Sequence, residues 1–160
     1  MLDKPSDPAE IRRWRGEMPV AHRYTAGVAG ERFLRTLKER GIFLASVCDE
    51  CGITYCPPQM FCERCLAEAA GEEEVGPQGT LESFTVVFQG LGGETLDDPV
   101  VVGLVRLDGA DTLLLHRIGA VEDAVLEIGM RVEPVLRPPA EREGGMGDIV
   151  HFRPLTHGAR

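Results

Sequence analysis

The sequence predicts a mainly β fold, and three observations carry that expectation. From Gly79 onward, five segments rich in Val, Leu, Ile, Phe and Thr alternate with Gly, Pro and Asp turns. One stretch, residues 28–40, has sustained helical spacing. All five cysteines of the 160-residue chain fall within the eighteen positions CDECGITYCPPQMFCERC, residues 48–65. In chain order these predict an extended arm (1–20), a helix with a small cysteine-rich ribbon (21–75) and a five-stranded barrel (76–160). A chain of this length holds one domain or two small ones around a modest core.

The arm carries Pro5, Pro8 and Pro19 among many charges, without periodicity. It also carries Ile11, Trp14, Met18 and Val20, and a ring as large as that of Trp14 is seldom left in water. The arm therefore lies either on a partner protein or back on its own domain. Its start, MLDKPSDPAEI, resembles neither a secretory nor a transit peptide, and the odd cysteine number fits a disulfide framework poorly. Both features point to the reducing cytoplasm. No run approaches the eighteen or so apolar residues that a membrane span needs.

Residues 28–40, VAGERFLRTLKER, place Ala29, Phe33, Leu34 and Leu37 on one helical stripe. Glu31 with Arg35 and Arg35 with Glu39 are i,i+4 pairs, and Gly41 is a natural stop. Arg32, Arg35, Lys38 and Arg40 make the remaining surface basic, which suits either a solvated face or a contact with an acidic partner or phosphates. After Gly41 the run IFLASV leads as a strand into the cysteines.

Cys48 and Cys51 form one Cys-x2-Cys pair, and Cys62 and Cys65 form another, with ten residues between the pairs. A Cys-x2-Cys turn converges two sulfurs, so two such turns build a tetrahedral four-sulfur cage. Zinc is its natural occupant, and a site with four protein ligands and no open position holds structure without doing chemistry. Gly52 suits the positive backbone angle with which a chain leaves such a turn. Cys56, in Tyr55-Cys56-Pro57-Pro58, is the fifth thiol. A nucleophile there would need a base or a positive field, and no histidine lies between His22 and His116. The expectation is a buried, quiet thiol. His22, His116, His151 and His157 are scattered and show no ligand spacing.

The barrel segments are TLESFTVVF, VVVGLVRL, TLLLHRI, MRVEPVL and DIVHFRP, with a tight link at Asp108-Gly109 and a mid-strand Gly103 that suggests a bulge or bend. AVEDAVLEIGM, residues 120–130, is expected to make one helical turn. Five short strands with one brief interruption suit an OB-type barrel, and periodicity alone equally permits another small barrel. QGLGGETLDDP, residues 89–99, reads as a long glycine-rich loop that could close over a ligand or press on a partner.

Charge separates the function classes. Residues 1–47 carry nine basic and six acidic groups, whereas 48–160 carry eight and twenty, within a formal net charge of -9. A zinc ribbon beside an OB barrel can bind single-stranded nucleic acid, but that needs a positive groove and exposed rings. Residues 81–160 hold thirteen acidic against seven basic groups, and Phe84, Phe88 and Phe152 sit in strands where core packing is the expected use.

The order of helix, FLASVCDECGITYCPPQMFCERC, GTLESFTVV, PVVVGLVRLDGAD, IGMRVEPV and HFRP resembles a known family. Its members join a rubredoxin-like zinc ribbon to an OB fold and accompany thiolases. The resemblance spans residues 22–154 and rests on Cys-x2-Cys-Gly with Pro57-Pro58, Leu107-Asp108-Gly109, Gly129-Met130-Arg131-Val132 and Phe152-Arg153-Pro154. It implies a non-catalytic subunit bound to a thiolase-like enzyme, or in some members to a hydratase or a hydroxymethylglutaryl-CoA synthase, that helps to form the acyl-CoA passage. Some members serve thiolases of aromatic breakdown, including the benzylsuccinyl-CoA type, and others serve steroid side-chain degradation. By position Cys48, Cys51, Cys62 and Cys65 match the family's metal cysteines, and no catalytic residue carries over. An acyl-CoA ligand would call for arginine at its phosphates, with Arg106, Arg117 and Arg131 as candidates on predicted strands.

Overall fold

The computed structural model describes residues 25–90, 92–119 and 126–155. The Trp14 arm, His22, His157 and residues 120–125 of the expected helical turn lie outside them. Of that segment, residues 126–130 form a turn in which Met130 N–H donates to Glu127 O at 3.2 Å and Gly129 takes φ +92°.

The helix α1, Gly27–Arg40, buries Phe33 and Leu37 completely and keeps its charged residues outward, as the 3.6-residue stripe requires. Each of those two side chains contributes about 1.5–3 kcal/mol by leaving water. Gly41 ends the helix at φ +70°, and its N–H returns to Leu37 O at 2.9 Å. The basic face is a paired, solvated one. Arg32 reaches Glu72 at 2.9 Å, Arg40 reaches Glu74 at 2.6 Å, and Arg35 pairs with Glu31.

Strands β1 (Phe43–Cys48), β2 (Ile53–Tyr55) and β3 (Gly71–Val75) make an antiparallel sheet in the order β2-β1-β3. Strands β4 (Gly79–Gln89), β5 (Thr95–Leu107), β6 (Leu114–Ile118), β7 (Arg131–Leu136) and β8 (Ile149–Pro154) close a barrel in the order β4-β5-β6-β8-β7. The only parallel pairing among the described residues joins β6 to β8 at Ile118 and Phe152. This is the five-stranded OB-type barrel that the sequence predicts.

One core runs from α1 through β1 into the barrel. Phe43 lies 6.2 Å from the ring of Phe33 and 6.3 Å from that of Phe152, so helix, ribbon sheet and barrel share a wall. Polar contacts lock the joint. Thr54 N–H donates to Asp111 Oδ2 at 2.8 Å, and Asp111 N–H donates to Thr54 O at 2.9 Å. Thr112 Oγ1 accepts from Cys56 N–H at 2.8 Å and donates to Cys56 O at 3.0 Å. The β5–β6 link thus satisfies backbone groups of β2 and its exit that would otherwise be unpaired.

Three expectations change. The irregularity predicted at Gly103 sits instead on the neighbouring strand, at Glu82, where pairing passes from Leu81–Val105 to Ser83–Leu104. Gly103 is required for packing: a Cβ there would stand 2.6 Å from Leu81 Cδ1 and 2.8 Å from Ile118 Cγ1. The glycine-rich loop is also shorter than it reads. Gly90–Glu94 closes the hairpin, with Gly90 N–H donating to Glu94 O at 2.9 Å. Thr95–Pro99 already belong to β5, where pairing jumps from Val87–Val100 to Gln89–Thr95, so Asp97, Asp98 and Pro99 ride in a bulge that spares Pro99 a ladder hydrogen bond. Finally, Phe152 is buried as expected and Phe84 packs against the core, but Phe88 is 59% exposed because it lies on the overhanging part of β4.

Candidate metal centre

The two Cys-x2-Cys turns are copies of one local design. In the first, Gly52 N–H closes onto Cys48 O at 2.7 Å with φ +66°; in the second, Leu66 N–H closes onto Cys62 O at 2.9 Å with φ +63°. Leu66 adopts the left-handed region without being glycine and is 77% exposed, so the second turn could not be read from a glycine signal. Strand β1 delivers Cys48, the start of β2 sets the exit of the first turn, and the pairing of Phe61 with Glu68 closes the second.

These turns bring the Sγ atoms of Cys48, Cys51, Cys62 and Cys65 within 4.8 Å of one another. Cys48 Sγ and Cys65 Sγ are 3.5 Å apart, far beyond a disulfide bond, and every cysteine is free. A tetrahedron of thiolates about 2.3 Å from a central ion has edges of about 3.8 Å, so the four sulfurs are positioned to bind a metal. Cys48 and Cys62 are buried, Cys51 half-buried and Cys65 exposed at the rim. Cys48, Tyr55, Cys62 and Ala69 form a second small core around them.

The electrostatics also call for a cation. The Tyr55 hydroxyl lies 3.1 Å from Cys62 Sγ and, with the N–H groups of Cys65 and Arg64, holds that thiol down to about 6. The same contact, with burial, pushes the Tyr55 phenol up to about 12, so it stays a donor. Cys51 is pushed up to about 12 by sharing its proton with Cys65 and by burial, and burial raises Cys48. Four thiolates cannot coexist at this spacing on their own; a divalent ion removes the conflict. The Tyr55 contact is the outer-shell support that orients a ligand sulfur, and no spacing rule pointed to it.

Cys56 lies apart, in the main core, and is 1% exposed. Its Sγ faces Leu44 O at 3.7 Å, and burial pushes its thiol up to about 12, which leaves no nucleophile at neutral pH. His116 and His151 stand on β6 and β8. The His116 ring lies edge-on to Phe152 at 5.9 Å and its Nε2 is 3.3 Å from Met146 O, away from any cysteine of the cage.

Of the three arginines that the sequence offers for an anionic ligand, two are already engaged. Arg106 pairs with Glu82, and Arg131 grips Asp108 with both terminal nitrogens while also reaching Thr80 Oγ1 at 3.2 Å. That guanidinium holds the Asp108 carboxyl below its ordinary value. Arg117 makes no ion pair among the described residues. It lines a surface cavity of about 510 Å³ together with Leu115, His116, Met146 and Arg137, the last only 4.0 Å from Glu143. Arg137 follows the end of β7 and carried no sequence signal for this role.

Comparisons with known proteins agree with this geometry. A model described as the ChsH2 rubredoxin-like zinc ribbon domain matches residues 35–69, and one described as the ChsH2 C-terminal OB-fold domain matches residues 72–137. A DUF35 domain-containing scaffold protein of Methanocaldococcus jannaschii is 27% identical over 130 residues, covering 79% of this chain and 91% of the relative. A Sulfolobus solfataricus DUF35-family protein of unknown function, known from its crystal structure, superposes with a TM-score of 0.60 at 22% identity, covering 80% of this chain and 84% of that one. A chain of a structure described as an Ltp2-ChsH2(DUF35) aldolase gives 0.54 at 22% identity, covering 78% and 93%. These two likenesses show the fold.

Proposed function

Because the chain belongs to the family that joins a ChsH2 zinc ribbon to a ChsH2 OB-fold, we propose that it is a non-catalytic accessory subunit of a carbon–carbon-bond enzyme acting on acyl-CoA. It binds structural zinc through Cys48, Cys51, Cys62 and Cys65, docks on a thiolase-like enzyme in the cytoplasm and helps to form that enzyme's acyl-CoA site. The observation that carries this reading is the closed cage: four sulfurs within 4.8 Å leave no open position for a substrate. Further support comes from the burial of Cys56, which leaves the described residues without the activated thiol that a stand-alone thiolase chemistry needs. Chemistry then belongs to the partner and shape to this chain. Arg117, with Arg137 beside it at the cavity and only loosely paired with Glu143 at 4.0 Å, is the cation suited to the phosphates of CoA, while Arg106 and Arg131 are held closely by carboxylates.

The solved relative described as an Ltp2-ChsH2(DUF35) aldolase favours a second reading of the partner alone: an aldolase-type enzyme in place of a thiolase. Both partner types make or break a carbon–carbon bond next to an activated carbonyl. The test is recovery of the tagged full chain from its host, identification of the enzyme that co-purifies, and assay of acyl-CoA turnover by chain, enzyme and complex. The expected result is no turnover by the chain, and a higher kcat/KM for the complex than for the enzyme alone. Turnover by the isolated chain, or an enzyme indifferent to it, overturns the proposal.

A further inference from the structure

In an antiparallel barrel the outer face ordinarily alternates to polar residues. Strand β5 breaks that rule. Gly103, Val105 and Leu107 point inward and are buried, yet the outward positions Val100, Val102 and Leu104 are also apolar, the stripe ending at the exposed Arg106. Cross-strand pairing extends this stripe: Val87 stands opposite Val100, and Leu115, 63% exposed, stands opposite Leu104. Val150 of β8, 44% exposed, borders the same cavity as Val102 and Leu115. These apolar residues stand side by side on adjoining strands, Val87, Val100, Val102 and Leu104 half-buried and Leu115 and Val150 exposed, instead of singly as surface hydrophobes ordinarily do.

The stripe runs onto an arm. Strand β5 pairs with β6 only from Val101 to Val105, so among the described residues the hairpin beyond Val86 and Val101 has two strands and no third beside it. A two-stranded hairpin is marginal by itself in water. This one also carries exposed Phe88 and Val86 on its other face. At its far end stand Glu94, Asp97 and Asp98, all exposed and none ion-paired among the described residues.

We propose that the outer face of β4, β5 and β6, with the overhanging hairpin, is the docking surface for the enzyme subunit, whose complementary surface is an apolar groove with a basic patch where the hairpin ends. This rests on the accessory-subunit reading above. Charge selects this occupant over a second copy of the chain. Each copy carries a formal -9, so self-association would bring two acidic bodies together, whereas a basic rim meets three exposed carboxylates that have no ion pair among the described residues. The neighbouring Arg117 and Arg137 cavity would then open at the edge of the interface.

The test titrates full-length variants against the enzyme that co-purifies with the wild-type chain, by interferometry at low and physiological salt. Leu115→Glu should bind about tenfold to a hundredfold more weakly, as for a central apolar anchor. The pair Asp97→Lys and Asp98→Lys should weaken binding about tenfold and flatten its salt dependence. Glu73→Lys, on the exposed face of β3, should bind as wild type. Unchanged affinity for Leu115→Glu at an unchanged melting temperature overturns the surface and leaves the accessory reading intact. If that variant melts early, the aspartate pair decides, with unchanged affinity and salt dependence overturning the surface. A wild-type chain that sediments as a dimer split by Leu115→Glu assigns the face to a second copy and overturns the proposal. Failure of any enzyme to co-purify overturns both readings.

Discussion

Replacing Thr112 with valine tests whether the ribbon is held to the barrel by hydrogen bonds or only by apolar contact. The two side chains have nearly the same shape, so the change removes a hydroxyl and leaves the packing. That hydroxyl accepts from Cys56 N–H at 2.8 Å and donates to Cys56 O at 3.0 Å, while Cys56 is 1% exposed. Each net hydrogen bond contributes about 1 kcal/mol, and a buried N–H left without a partner costs about 1–3 kcal/mol. Because Thr112 is half-buried and water can reach part of the site, the expected loss is about 2–3 kcal/mol. That is about thirtyfold to 150-fold in the unfolding equilibrium. Urea unfolding of the metal-loaded chain measures it as a lower midpoint at an unchanged slope. Metal release to a chelator should also quicken, since Cys56 lies on the strand exit between the two cysteine pairs. A loss under about 0.5 kcal/mol with unchanged release, less than one net hydrogen bond, would refute the lock.

Other outcomes follow from the same structure. Cys62→Ser removes a ligand and the acceptor of Tyr55 Oη and Arg64 N, so elemental analysis should find little bound zinc. Structural zinc sites are worth about 10–16 kcal/mol in apparent binding at neutral pH, which rivals the stability of a small domain, so circular dichroism should show the ribbon lost first. Because β1 shares its core with the barrel, the barrel should also melt earlier. Cys56 should resist a thiol reagent in the folded, metal-loaded chain and react only at the rate of unfolding, given its burial and its raised thiol. Rapid labelling would show that the thiol is reachable.

Asp148 should govern part of the acid response. Burial pushes its carboxyl up, but the N–H groups of Glu143, Gly144 and Gly145 and the charge of Arg137 outweigh this and hold it below its ordinary value. A folded value below the unfolded one means stability that is present above about pH 4 and lost as pH falls through the lower folded value. Asp148→Asn should therefore be the less stable protein at pH 7, with the gap to wild type closing below about pH 4 in acid-unfolding curves. A constant gap would show that the carboxylate's charge is immaterial.

Much of this molecule was readable residue by residue. Helical spacing placed α1 within a residue of its observed start, with Phe33 and Leu37 buried, and the five β-rich segments became the five barrel strands. Paired Cys-x2-Cys spacing selected the four sulfurs that the fold gathers. These features depend on neighbours a few positions apart, through backbone geometry and alternation, so linear order suffices to specify them. The misreadings had equally definite causes. Asp97, Asp98 and Pro99 disguised a bulged strand as loop, and Gly103 looked like a bend when its missing Cβ makes room for Leu81 and Ile118.

What only the tertiary structure decided is which distant groups meet. Tyr55 against Cys62, Thr112 against Cys56, Arg131 against Asp108, and the single core joining Phe43 to Phe152 all depend on how the ribbon turns and how the barrel closes. The same holds for the outward stripe of β5. A run such as VVVGLV states that both faces of a strand are apolar, but only barrel closure determines which face is walled in and which is left for a partner. Side-chain alternation is a local property of the strand, whereas its exposure depends on every strand that packs against it.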